Sequence, residues 1–148
     1  MSQNGKEVLD DRVYTNEDDW VKKTEDKKYH MGITDFAQHE LKDIYTIELP
    51  KVGQVLAQYQ KYGNLESEKN SFELKIPIGG KVVAIAEKES LGDVYDEGET
   101  ATTKVFTGDL HNINKNPYGT WLIEIETDDE SQLEKLLTAE DYKKKIGA

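Results

Sequence analysis

Residues 63–83 read Gly-Asn-Leu-Glu-Ser-Glu-Lys-Asn-Ser-Phe-Glu-Leu-Lys-Ile-Pro-Ile-Gly-Gly-Lys-Val-Val. Phe72, Leu74, Ile76 and Ile78 alternate with Glu73, Lys75 and Pro77, the period of a strand that buries one face. Tyr62 to Ser67 makes a shorter strand before it. Glu68-Lys69-Asn70 separates the two, and Asn is a residue that accepts positive φ in a tight turn. The stretch therefore predicts a β-hairpin with Lys69 at its tip and the amine held out in water. Taken alone, a lysine in a turn is a solubilising residue, because exposed lysines are the rule.

The residues around Lys69 change that reading. Glu66-Ser67-Glu68-Lys69, followed by Pro77-Ile78-Gly79-Gly80-Lys81-Val82, resembles the lipoyl attachment hairpin of the glycine cleavage system H-protein family. That pattern is Glu-Ser-Val-Lys and then Pro-x-x-Gly-x-Val. Glu68 stands where Val is usual, and Asn70 where a small residue is usual. Four further blocks follow the family's order: Tyr14 to Trp20, Gly32 to Gln38, Asp43 to Gly53, and Ile113-Asn114 with Pro117 to Leu122. Asp19 replaces a Glu, Lys42 replaces a Gly, and the last block is one residue short. One hairpin matches by chance easily; five ordered blocks do not.

The resemblance implies a barrel-sandwich hybrid fold, β-rich with C-terminal helices, carrying lipoic acid in amide linkage on Lys69. It implies a carrier and not an enzyme. A lipoate ligase or lipoyl transferase would modify it, with Glu66, Glu68 and Glu73 as candidates for that recognition. Glycine decarboxylase, aminomethyltransferase and dihydrolipoyl dehydrogenase would then exchange an aminomethyl group and electrons with it. In the family the cargo is sheltered in a cleft near the N-terminal Trp and the acidic position after the modified Lys. Here those positions hold Glu17, Asp19 and Glu73. A second reading is a lipoate-binding sulfur carrier that serves a heterodisulfide-reductase-like complex; Glu68, Asn70 and a long segment at 88–107 favour it. A biotin carrier is disfavoured, because the Met residues that usually flank a biotinylated Lys are missing.

Composition bounds the rest. The 148 residues suit one domain. Thirty acidic against nineteen basic residues leave a formal charge of −11, which disfavours nucleic acid and anionic membrane as partners. There is no Cys, consistent with a reducing compartment, and no apolar run of spanning length. The expectation is a soluble cytoplasmic protein. His30, His39 and His111 fall on different elements without ligand spacing, so no metal site is assigned. No phosphate loop or nucleophile elbow is present.

Along the chain, 1–11 is polar and reads as a disordered tail before a single domain at 12–148. Trp20 to Lys23 and Tyr29 to Ile33 read as strands around a charged turn at Glu25-Asp26-Lys27. Thr34 or Asp35 caps a short helix, and Tyr45 to Leu49 is a strand ended by Pro50. The segment 88–107 reads as an insert, either a surface loop or an extra hairpin that alters docking. Gly119 to Glu126 reads as a strand near the end of a sheet. Asp128 or Asp129 caps a helix with Leu133, Leu136 and Leu137 on one stripe, and Thr138 caps a last helix that turns Tyr142 inward.

Overall fold

The alternating stretch folds as the outer hairpin of a five-stranded antiparallel sheet. The computed structural model describes residues 4–148. Its elements are β1 (Val13–Tyr14), β2 (Asp19–Glu25), β3 (Lys28–Ile33), α1 (Asp35–Leu41), β4 (Ile44–Pro50), β5 (Val55–Leu56), β6 (Lys61–Ser67) and β7 (Ser71–Lys75). There follow β8 (Gly80–Ile85), α2 (Lys88–Leu91), β9 (Asp93–Glu99), β10 (Thr103–Asp109), α3 (His111–Lys115), β11 (Ile123–Glu126), a 3-10 helix at Glu130–Lys135 and α4 (Ala139–Ile146). One sheet runs β1-β2-β3-β11-β8-β5 and the other β7-β6-β4-β10-β9. Apolar residues from both sheets, among them Met31, Ile47, Leu65, Leu74, Ile76, Val82, Phe106 and Ile125, form the main core. This is the β-rich, two-sheet architecture with short helices that the sequence predicts.

A second cluster sits where the chain ends meet. Tyr14, Trp20, Tyr118, Ala139 and Tyr142 pack together, with the Tyr14 and Tyr142 rings stacked 4.6 Å apart. Arg12 lies over the Trp20 ring at 4.6 Å and donates to the Tyr118 carbonyl at 3.1 Å. Gly32 is required opposite Trp20, since a Cβ there would meet the indole at 2.8 Å. Thr34 caps α1 by accepting from Ala37 N, and Thr138 caps α4 by accepting from Asp141 N.

The structure departs from the sequence reading in several places. Residues 4–11 are not a loose tail. Tyr14 Oη accepts from Leu9 N at 2.8 Å and donates to Leu9 O at 2.7 Å, Tyr118 Oη donates to Glu7 O, and Glu7 N donates to Asp35. Buried tyrosine hydroxyls need partners, and this backbone supplies them. Met1 to Gln3, the rest of the expected tail, lie outside the described residues. The segment 88–107 is only partly a surface elaboration. β9 lies at the sheet edge, but β10 pairs with β4 from Thr103↔Pro50 to Thr107↔Thr46 and is interior. Leu91 and Phe106 are core residues, whereas Tyr95 is exposed.

β11 likewise is not near a sheet end but central, between β3 and β8. It begins only at Ile123, and the alternation expected from Gly119 is broken where Leu122 and Ile123 are both buried. The Leu133 stripe does not continue as an α-helix. Asp129 caps a short 3-10 turn, and the chain is extended again at Leu136 so that Leu137 can pair with Tyr14.

Candidate functional site

The hairpin tip is built by one hydroxyl. β6 pairs with β7 through Glu66↔Ser71, Leu65↔Phe72, Asn64↔Glu73 and Gly63↔Leu74. At the end of this ladder Ser67 N donates to Asn70 O at 2.9 Å. Ser67 Oγ accepts from Lys69 N and from Asn70 N, each at 3.2 Å, and donates to Asn70 O at 3.2 Å. Asn70 is absent from the positive-φ residues, so the turn does not use the left-handed conformation expected of it. Side-chain bonding by Ser67 closes the turn instead. Glu68 N donates to Asp43 O at 3.3 Å, which ties the tip to the chain before β4. Lys69 is exposed at the apex of a backbone held on three sides.

A cleft of about 200 Å³ opens at the other end of the same hairpin. Thr15, Asn16, Glu17 and Asp19 line one wall, Tyr59, Lys75 and Pro77 a second, and Lys135, Leu136 and Leu137 a third. The first wall is set by Asp18, whose positive φ of 67° turns the chain from β1 into β2. Tyr142 Oη donates to Asp18 Oδ1 at 2.9 Å, and Lys145 pairs with it at 3.5 Å. The third wall is fixed by the Tyr14–Leu137 bridge and by Gln132, which accepts from Gly79 N at 2.7 Å.

Asp19 is the most perturbed group of the cleft. It is 3% exposed; Oδ2 accepts from the Thr15 hydroxyl at 3.1 Å and Oδ1 has no hydrogen-bond partner. Burial pushes its carboxyl well above the usual carboxylate range; the Thr15 hydrogen bond opposes this, and the Glu17 and Asp18 charges add to it. Glu17 faces Lys75 at 3.5 Å.

Of the acidic residues singled out in the sequence, the structure brings only Glu17 and Asp19 together. Glu73 is not in the cleft: it sits across from Asn64 on the outer face and pairs with Lys61 at 3.9 Å. Strand alternation puts Glu73 on the same face as Lys75, but two residues nearer the tip and so beyond the cleft. Glu66 lies between Thr46 and Ser71 in the ladder, and Glu68 faces a separate groove with Asp43, Tyr45 and Tyr95. Sequence reasoning missed Lys75, Lys135 and Tyr59. For Lys75 a signal existed, since it lies on the polar side of the alternating strand; the other two come from distant segments. Among the described residues no group of three His, Cys, Asp or Glu could hold a metal ion, and no helix is long and apolar enough to cross a membrane.

A lysine displayed on a clamped hairpin of a two-sheet β domain is the arrangement of a carrier that presents a covalently attached group. The model of the family described as glycine cleavage H-protein matches residues 12–148, and the chain belongs to that family. It is 42% identical over 130 residues to the glycine cleavage system H proteins of a Bacillus cereus strain and of Bacillus cytotoxicus, covering 87% of this chain and 88% of theirs. In three dimensions it is similar to the crystal structure of a glycine cleavage system H protein from Mycobacterium marinum. The TM-score is 0.75 at 26% identity, covering 95% of this chain and 100% of that one. H proteins are non-catalytic carriers that hold lipoate covalently on a lysine. The sulfur-carrier alternative has no support among these relatives.

The residues present fit such a group. An exposed primary amine stands on an ordered backbone, and a cleft with an unpartnered buried carboxylate oxygen lies on the same hairpin.

Proposed function

We propose that Lys69 carries the lipoyl group and that the protein shuttles the aminomethyl cargo of glycine cleavage among its decarboxylase, aminomethyltransferase and dihydrolipoyl dehydrogenase, in the cytoplasm. The observation that carries the reading is the Ser67 clamp: the Ser of Glu66-Ser67-Glu68-Lys69 holds the amide nitrogen of the very lysine that follows it. When bound, the dithiolane supplies a reducible disulfide and a thiol on which the cargo travels.

The chain's own contribution is display and shelter. β6 and β7 anchor the tip through Leu65 and Leu74, both fully buried, so the turn keeps its geometry while visiting different enzymes. Glu66 and Glu68 flank Lys69 as carboxylates that a modifying enzyme can read. The Glu17 and Asp19 wall offers acceptors to a protonated amine, and Tyr59, Pro77, Leu136 and Leu137 limit its contact with water. The altered lining still suits a cation, which favours the aminomethyl cargo over an anionic sulfur one.

Co-expression with a lipoate ligase tests the assignment by intact mass. A single adduct is expected in the natural chain and none in Lys69→Arg; an adduct that persists, or maps to Lys75 or Lys81, would overturn it. With the lipoylated protein, a heterologous glycine decarboxylase should exchange labelled bicarbonate into glycine at a rate comparable to that with a known H protein. Absence of exchange would remove the glycine role and leave the lysine assignment standing.

A further inference from the structure

We propose that Lys75 is a resident cation of the Glu17–Asp19 cleft and sets how strongly that cleft retains a protonated primary amine. The inference rests on the reading of the cleft as the shelter for the cargo. Lys75 Nζ stands 3.5 Å from Glu17 Oε1, so the ammonium bridges the end of β7 and the turn before β2. The two side chains are 40% and 53% exposed. An ion pair in that much water contributes little and breaks readily. It therefore does not anchor the fold; it covers one carboxylate of the cleft with a weakly held charge.

The same cleft is lined by a residue holding an acceptor with no partner. Asp19 is 3% exposed, and its Oδ1 receives no hydrogen bond, whereas Oδ2 is occupied by Thr15. A buried polar atom left unsatisfied is uncommon, and here it belongs to a residue that lines an open cleft. An incoming primary ammonium gains the Glu17 carboxylate by displacing Lys75, and Asp19 adds an unmet acceptor to the same wall. Because Lys75 is tethered to β7, it cannot diffuse away, and it competes with the guest at the high effective concentration of an intramolecular group. Lys135 lines the same cleft, so two ammonium groups stand against the Glu17 carboxylate and the buried Asp19 carboxyl. The retention of a cationic guest is thus set by the lysines as much as by the acids, and the cleft is built to hold such a guest loosely.

The test uses the unmodified chain and methylammonium chloride as the probe, so it is independent of lipoylation. Methylammonium is titrated at constant ionic strength while the backbone amide resonances of Thr15, Asn16 and Glu17 are followed. Saturable shifts are expected in the natural chain, with binding about five-fold tighter in Lys75→Gln and weaker in Asp19→Asn. Five-fold is about the effect of one exposed charge pair. Equal or weaker binding in Lys75→Gln overturns the inference and leaves the shelter reading intact, provided the natural chain binds. No saturable shift at these amides in any of the three proteins overturns the shelter reading and this inference with it.

Discussion

At the residue scale, Asp19 ties stability to pH. Its carboxyl is fully buried, lacks a partner for Oδ1 and is pushed up by burial. A raised folded pKa means that the native state holds the proton more tightly than the unfolded chain does. The advantage is complete below the unfolded value near 3.8 and is lost progressively as pH rises above it. Asp19→Asn removes the ionisation, so at pH 7 it should raise the stability of the protein. The gain should shrink toward zero as the pH falls to the ordinary carboxylate range. Denaturant midpoints of both proteins across that range measure it. A difference independent of pH would mean that ionisation of Asp19 is not its source. The identity of Asp19 as an acid beside Trp20 was legible in the sequence. Its burial was not, because the Thr15 hydrogen bond and the closing wall at Leu136–Leu137 depend on contacts across the whole chain.

At the scale of elements, β10 decides how much of the segment 88–107 is dispensable. The low cost of lengthening a surface loop applies only where the loop carries no core contacts. Here Thr103 to Thr107 supply five register pairs to β4, and Phe106 is 3% exposed. Replacing 88–107 with a Gly/Ser connection should therefore unfold the domain instead of leaving stability nearly unchanged. Phe106→Ala should cost about 3 kcal/mol or more. Tyr95→Ala, on the exposed edge strand, should stay within about 0.5 kcal/mol. Thermal unfolding of the three variants checks the pattern, and a large loss in Tyr95→Ala would contradict the edge placement. The segment's apolar residues were visible in the sequence, but which of them faced inward depended on pairing between β10 and the distant β4. The helices were more legible. Thr138 caps as predicted, and of the two candidates for α1 it is Thr34 that caps, because a cap is settled within three residues.

At the scale of the whole molecule, residues 4–11 join parts of the chain that the sheets do not. Glu7 and Leu9 satisfy the hydroxyls of Tyr118 and Tyr14, and Tyr14 stacks on Tyr142 of the last helix. Tyr142 in turn bonds Thr34 and holds Asp18 at the cleft turn. Burial raises the Tyr14 pKa to about 12, so within the working range this hydroxyl keeps its proton and its role as donor. Removal of residues 1–11 should destabilise the fold by about 2–4 kcal/mol, as the Tyr14 hydroxyl loses its partners and the Tyr118 hydroxyl its acceptor. The midpoint of thermal unfolding reads this directly. A truncated chain as stable as the full one would show that water replaces these contacts without loss.

The sequence by itself determined the hairpin, its lysine, the cap of the last helix and the family. Each of these is carried by residues that interact over a few positions or by blocks whose order needs no coordinates. The Ser67 clamp on Lys69 is equally local, with partners two and three residues away, although the sequence pointed to Asn70 for the turn. Only the tertiary structure decided the cleft. Its walls come from segments around positions 15–19, 59, 75–77 and 135–137, and it lies at the far end of the hairpin, where Lys75 reaches it and Glu73, two residues nearer the tip, does not. Tertiary structure also placed β10 and β11 in sheet interiors and pinned residues 4–11. The physical reason is common to all three. Strand order and the satisfaction of buried hydroxyls are settled by the lowest free energy of the whole chain, and no local pattern of alternation, charge or capping encodes which distant segment supplies the partner.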